Sequence, residues 1–157
     1  MKITIQLLVA DDQIKNAHVA LHSAMKSVIK QKSYSPPWHV PLSDDDMIEV
    51  QCEFLDSKPE VKKLLMDPKA MAPYDLIVLD NDWAGDERHG TDLIAEIHRA
   101  GITHPPLVLY TQHRVIPYLT DTLKNGAYAA VQKNDKHHFM NVLITIAVTK
   151  KAQMEHV

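Results

Sequence analysis

Residues 75–80, DLIVLD, restrict the fold more than any other segment, because four apolar residues run without interruption into an aspartate, Asp80. A strand that is apolar on both faces needs cover on both faces, as in a parallel sheet placed between helices. Four more strand-like runs occur at residues 3–10, 47–55, 107–111 and 127–133. The sequence therefore predicts a five-stranded parallel sheet.

Apolar residues at helical spacing fill the intervals between these runs. The predicted helices cover residues 14–31, a short segment that Asp56 or Ser57 caps, 91–100, 114–125 and 135–153. Gly101 and Gly126 lie just past two of the helices, where glycine commonly ends a helix. A proline-rich loop at about 31–46 precedes the second strand. This alternation predicts an α/β fold with a doubly wound sheet, in one domain over residues 1–157.

Composition and charge exclude several classes of protein. The net charge is −3 and no block of lysine and arginine occurs, which argues against direct nucleic-acid binding. Cys52 is the only cysteine, so no intrachain disulfide forms, and this usage fits a reducing compartment. The N-terminal apolar run is too short for a signal peptide, and no segment reaches membrane-spanning length. We expect a cytoplasmic protein that does not bind membranes.

Polar residues end four of the predicted strands. Asp11 and Asp12 follow the first strand, Asp80 ends the third, Thr111 ends the fourth and Lys133 ends the fifth. In doubly wound sheets the ligand site lies beyond these carboxyl ends. Three neighbouring carboxylates need a counter-charge, which a hard cation such as Mg²⁺ supplies while leaving room for phosphate. The set predicts an aspartyl nucleophile for phosphorus, with Thr111 and Lys133 stabilising the phosphoryl charge.

In this order and at these intervals, the same residues resemble the receiver domain of two-component response regulators; Thr111 follows Asp80 by 31 positions and Lys133 follows it by 53. The resemblance covers nearly the whole chain. It implies a flavodoxin-like fold and phosphorylation of Asp80 by a partner histidine kinase or phosphotransfer protein. It also implies Mg²⁺ held by the side chains of Asp11, Asp12 and Asp80 and by the backbone carbonyl of Asp82.

The same resemblance implies output through contacts with an unidentified downstream protein. Beyond self-phosphorylation and self-dephosphorylation, no turnover of small substrates is expected. The sequence leaves open whether the chain forms a homodimer, and whether it is a fragment of a longer protein.

The loop that follows the phosphoacceptor strand departs from the family pattern. The family usually has proline and glycine where this chain has Ala84 and Arg88, and Gly90 arrives two positions later, so the loop is longer. Gln112 replaces a small residue after the threonine and could crowd the site. By the resemblance, Asp82 and His113 flank the phosphoryl group and modulate how fast water removes it.

Two further departures concern the last strand. The aromatic residue that usually stands three positions before the lysine is Ala130 here, which weakens the expected coupling to the threonine; Tyr110 and Tyr128 are the candidate substitutes. The lysine is usually followed by proline in a cis bond, whereas Asn134 follows it here. We therefore predict a trans bond after Lys133.

Two other functions remain open at the level of sequence. A phosphatase of the haloacid-dehalogenase type also uses an aspartate nucleophile, and residues 80–82, DND, match its motif with Asp82 as general acid. That motif normally lies on the first strand, whereas here it follows the third. The second alternative is a receiver-like interaction module that never uses phosphate.

Overall fold

The computed structural model describes residues 1–11, 42, 45–81, 90–111 and 116–155. Its strands are β1 (Lys2–Ala10), β2 (Met47–Leu55), β3 (Leu76–Asp80), β4 (Leu107–Thr111) and β5 (Ala129–Gln132). Its helices are α1 (Lys58–Leu65), α2 (Pro68–Met71), α3 (Gly90–Arg99), α4 (Ile116–Lys124) and α5 (Lys136–Glu155). The predicted helix at 14–31 and most of the predicted loop at about 31–46 lie outside the described residues.

The five strands form one sheet in the order β2-β1-β3-β4-β5, and every neighbouring pair is parallel. This order is that of flavodoxin-like doubly wound sheets, so the predicted fold class is confirmed. The strand order reverses between β1 and β3, which makes their carboxyl ends the expected place for a ligand.

Each face of the sheet is covered by helices, which explains why β3 carries no polar residue before its end. Leu76 and Val78 pack with β1 and α5 on one face, while Ile77 and Leu79 pack with α1 and α3 on the other. All five residues of β3 are buried. The predicted apolar stripe of the last helix is buried as well, at Phe139, Val142, Leu143, Ile146 and Ala147.

Most element boundaries agree with the sequence prediction to within two residues, and β2 and β4 agree at both ends. Gly101 and Gly126 have φ angles of 66° and 89°, which explains why glycine stands after α3 and α4. Ser57 occupies the N-cap position of α1, but its side chain makes no capping hydrogen bond. Helix α2 was not predicted; the Asp67 side chain caps it by accepting from the backbone N–H of Lys69 at 3.0 Å.

Helix α5 is tied to the amino end of the sheet, opposite the predicted site. Asp75 accepts from the Lys150 amine and from the backbone N–H of Gln6, both at 2.8 Å. The Lys150 amine also donates to the carbonyl of Thr4. These bonds join α5, β1 and the residue before β3. Within the described part of the chain, no helix is long and apolar enough to cross a membrane.

Candidate functional site

Two buried aspartates lie side by side at the carboxyl edge of the sheet. Ala10 pairs with Leu79 in the parallel β1–β3 register, so Asp11 and Asp80 are the next residues of the two strands. Each is 1% exposed. The backbone N–H of Asp11 donates to the carbonyl of Leu55 at 3.0 Å, which extends the β1–β2 pairing one residue past β1. Sheet geometry thus brings two of the predicted carboxylates together.

Lys133 supplies the positive charge for this pair. Its amine Nζ lies 2.8 Å from Asp80 Oδ1 and 3.5 Å from Asp11 Oδ2. Its backbone N–H donates to the carbonyl of Thr111 at 2.7 Å, which fixes the chain just past β5. Because β4 separates β5 from β3, the lysine side chain reaches across β4 to contact Asp80. That side chain is 17% exposed, so the ion pairs are largely shielded from water.

Thr111 is the last residue of β4 and is fully buried. Its backbone carbonyl accepts from the backbone N–H of Lys133 at the carboxyl edge of the sheet. The phosphate-binding role of Thr111 remains a prediction.

Four of the predicted site residues lie outside the described residues: Asp12, Asp82, Gln112 and His113. Within the described ranges, His, Cys, Asp and Glu form no group of three or more that could hold a metal ion. Of the four predicted metal ligands, Asp11 and Asp80 are therefore the two that the structure describes. Ala84 and Arg88, which mark the departure of the loop from the family pattern, also fall outside the described ranges.

The donor set of the described site fits a hard divalent cation. Asp11 and Asp80 bring two carboxylates into a buried place, and Lys133 brings one ammonium group. Among these three side chains, only the carboxylate oxygens are available types of metal donor. Mg²⁺ prefers oxygen ligands and is usually held by one or two carboxylates together with phosphate oxygens.

Tyr110 lies under the lysine side chain and responds to the same charges. Its ring centroid is 5.7 Å from Lys133 Nζ, and its hydroxyl donates to the Lys133 carbonyl at 3.2 Å. Burial raises the pKa of Tyr110 to about 12, and the negative charges of Asp11 and Asp80 add to the shift. The phenol therefore stays neutral and able to donate at physiological pH.

Two residues behind Asp80 were not among the predicted site residues. Asn81 is buried; its backbone N–H donates to the Tyr110 carbonyl at 2.9 Å, and its side chain accepts from the backbone N–H of Thr91 at 3.2 Å. Gly90 begins α3 so close to β3 that a Cβ atom there would lie 2.6 Å from the Asp80 carbonyl oxygen. A glycine at the start of a helix was the available signal for this close approach.

The structure describes the residues at which β5 and its end depart from the family pattern. The described residues contain no cis peptide bond, so the predicted trans bond after Lys133 is confirmed. Ala130 is buried among the residues that pack against α1 and α3. Of the two candidate aromatic substitutes, Tyr128 is exposed, whereas Tyr110 is buried against the site.

Comparisons with known proteins support the fold described above. No family model matches the sequence, and no curated protein sequence matches it. Solved structures do match. A signal receiver domain from Vibrio parahaemolyticus is 12% identical with a TM-score of 0.61, and the alignment covers 96% of this chain and 95% of that one. A CheY-like receiver domain from Methanospirillum hungatei JF-1 is 16% identical with a TM-score of 0.55, covering 96% and 98%.

A third match is a response regulator protein from Burkholderia pseudomallei, solved with a phosphorylated aspartic acid, a calcium ion and citrate. It is 17% identical with a TM-score of 0.56, and the alignment covers 98% of this chain and 73% of that one. At these identities the likeness is one of fold. The chain therefore has the fold of a response regulator receiver domain, the family that its sequence resembles.

Proposed function

We propose that this chain is a phosphorylation-dependent signalling switch that accepts a phosphoryl group on Asp80 from a phosphohistidine donor. The observation that carries the proposal is the position of Lys133 Nζ, 2.8 Å from Asp80 and 3.5 Å from Asp11. This ion-paired group stands at the carboxyl edge of a receiver fold, where such sheets bind ligands.

The chemistry assigned to Asp80 is nucleophilic attack on phosphorus. A carboxylate oxygen of Asp80 forms the new P–O bond, the P–N bond of the phosphohistidine breaks, and its electron pair stays on the imidazole nitrogen. The Lys133 ammonium, 2.8 Å from Asp80 Oδ1, is the proposed counter-charge to the transferred phosphoryl oxygens. The Thr111 hydroxyl is the proposed hydrogen-bond donor to the same group.

The proposed metal site consists of the Asp11 and Asp80 carboxylates, together with two predicted ligands outside the described residues, Asp12 and the backbone carbonyl of Asp82. Bound Mg²⁺ would neutralise part of the charge on the phosphoryl oxygens. The Burkholderia pseudomallei structure, which contains a phosphorylated aspartic acid and a calcium ion, supports a site of this kind on this fold. We further propose that Asp82, Gln112 and His113 modulate loss of the phosphoryl group.

A partner histidine kinase or phosphotransfer protein is the proposed donor, and a protein in the cytoplasm is the proposed recipient of the signal. A phosphoryl group on Asp80 carries close to two negative charges and replaces the single charge of the carboxylate to which it is bound, so the site gains about one negative charge. That added charge supplies the driving force for rearranging Lys133, Thr111 and the loops beside them.

Binding of beryllofluoride, which mimics a phosphoryl group on aspartate, tests the proposal. In the presence of Mg²⁺ we expect amide shifts in the NMR spectrum around Asp80, Thr111 and Lys133, and none in the Asp80→Asn variant. A receiver-like module that never uses phosphate would give no shifts in the wild type. An Asp80-dependent turnover of small phosphate esters would favour the phosphatase alternative, for which the receiver-domain matches give no support.

A further inference from the structure

Tyr110 occupies a place in β4 from which it contacts the site. It pairs in register with Asp80 on one side and with Val131 on the other. Side chains alternate along a strand, and Val78 and Tyr110 belong to the same buried cluster beneath α5. Tyr110 is therefore on the face of the sheet that Asp80 also occupies, and it is 4% exposed.

The ring of Tyr110 contacts both a buried aromatic ring and the lysine amine. It meets the Phe139 ring of α5, with centroids 5.9 Å apart and planes tilted by 47°. Its centroid also lies 5.7 Å from Lys133 Nζ, within the range in which an ammonium group is attracted to an aromatic face. Contact with buried Phe139 limits the positions that the ring can adopt.

The hydroxyl of Tyr110 holds the backbone of the same lysine. It donates to the Lys133 carbonyl at 3.2 Å, while the backbone N–H of Lys133 donates to the carbonyl of Thr111 at 2.7 Å. Two successive residues of β4 thus fix both backbone polar groups of Lys133. A lysine side chain is long and flexible, so placing its amine on Asp80 costs rotamer entropy unless the surroundings restrict it.

We propose that Tyr110 is the positioning residue that holds Lys133 against Asp80, through its hydroxyl at the lysine backbone and its ring beneath the ammonium. The inference rests on the proposed function, because Lys133 matters to the reaction only if Asp80 is phosphorylated. Tyr110 acts through Lys133 and does not touch the reacting atoms.

Two sets of variants separate this role from simple packing. The first set measures the rate of phosphorylation by phosphoramidate with Mg²⁺. We expect Tyr110→Phe, which keeps the ring, to be about threefold slower than wild type, and Tyr110→Leu, which keeps neither contact, about tenfold slower. Tyr128→Leu is the matched control, because Tyr128 is exposed and precedes β5 at the end opposite Lys133. Its rate should equal that of the wild type.

The second set is a double-mutant cycle of Tyr110→Leu and Lys133→Met, measured by urea unfolding without any phosphoryl donor. If Tyr110 positions Lys133, the double variant shifts the unfolding midpoint by less than the sum of the two single shifts. Additive shifts would overturn the proposal, as would a Tyr110→Leu rate equal to that of the wild type. Should Tyr110→Leu not fold, Tyr110→Phe takes its place in both sets.

The two sets also separate this inference from the proposed function. A wild-type chain that is not phosphorylated contradicts the proposed function, and the unfolding cycle then decides alone whether Tyr110 holds Lys133. If the wild type is phosphorylated but the cycle is additive, the proposed function stands and Tyr110 has no positioning role in it.

Discussion

The amine of Lys133 lies 2.8 Å from the carboxylate of Asp80. Asp80 ends β3 and Lys133 follows β5, and β4 lies between these two strands. The lysine reaches Asp80 by passing over Tyr110, and the same amine lies 3.5 Å from Asp11. One ammonium group is thus ion-paired with two buried carboxylates. The proposed cation site would use oxygens of the same two carboxylates.

Replacing Lys133 by Met should destabilise the fold and make its stability depend on magnesium. The change leaves Asp11 and Asp80 buried without their ammonium partner, and we expect a loss of about 1–3 kcal/mol, below the full cost of a fully buried pair because Lys133 is partly exposed. Urea unfolding with and without Mg²⁺ measures the effect. Mg²⁺ should stabilise the variant more than it stabilises the wild type.

Lys2→Met is the matched control for that experiment. Lys2 pairs with Glu49 at 2.9 Å, but its side chain is largely exposed, and such pairs contribute little to stability. Little change is expected, with or without Mg²⁺. Equal losses in the two variants would contradict the view that the site lysine neutralises buried charge.

Replacing Gly90 by Ala should displace the backbone of Asp80 or the start of α3. The new Cβ would lie 2.6 Å from the Asp80 carbonyl oxygen and 3.0 Å from Leu109 Cδ1, so α3 or the end of β3 must move. We expect a loss of about 1–3 kcal/mol from overpacking and weaker beryllofluoride binding. Fluorescence-monitored urea unfolding and NMR titration measure the two effects.

Gly101→Ala separates backbone strain from contact with the site. Gly101 has a φ of +66° and no atom near its would-be Cβ, so alanine there meets only conformational strain, about 1–2 kcal/mol. Its beryllofluoride binding should match the wild type. If Gly90→Ala also binds like the wild type, the packing of Gly90 against Asp80 is irrelevant to the site.

Cys52 should react slowly with thiol reagents while the chain is folded. Burial raises its pKa from 9.0 to about 12, with a smaller contribution from the charge of Glu53, so the thiolate fraction near neutral pH falls by roughly a thousandfold. Alkylation by iodoacetamide, followed by mass spectrometry, should be at least about a hundredfold faster in urea than in the folded chain. Equal rates would contradict the burial of this thiol.

The same shift sets a direction for stability at alkaline pH. A thiol whose pKa is raised by folding contributes fully below about pH 9, and this contribution is lost as pH rises toward 12, because the unfolded chain loses its proton first. Cys52→Ala should therefore lose less stability than the wild type between about pH 8 and pH 10.5. Urea midpoints at the two pH values provide the check.

The sequence predicted the sheet well because each strand signals its own surroundings. Residues 75–80 are apolar on both faces and β3 is covered on both faces, while the alternating residues of β2 form an edge strand with exposed positions such as Met47. Strand ends were predicted for the same reason, since polar residues interrupt the apolar runs where the sheet meets solvent or ligand.

Contacts between side chains of different strands could not be predicted from the sequence pattern. The contact between Lys133 and Tyr110 depends on register and on the path of one side chain over β4, neither of which has a local signature. Helix α2 was missed because its four residues are too few to show a periodicity. Gly90 was noted for its spacing, but its packing against the Asp80 carbonyl depends on how α3 meets β3.

The mass of the intact chain after incubation with phosphoramidate and Mg²⁺ shows directly whether Asp80 accepts a phosphoryl group. We expect one phosphoryl group on the wild type and on Asp92→Asn, a control on the exposed side of α3, and none on Asp80→Asn. Chelation of Mg²⁺ should abolish the addition. An unmodified wild type, or equal modification of Asp80→Asn, would rule out phosphoryl transfer to Asp80.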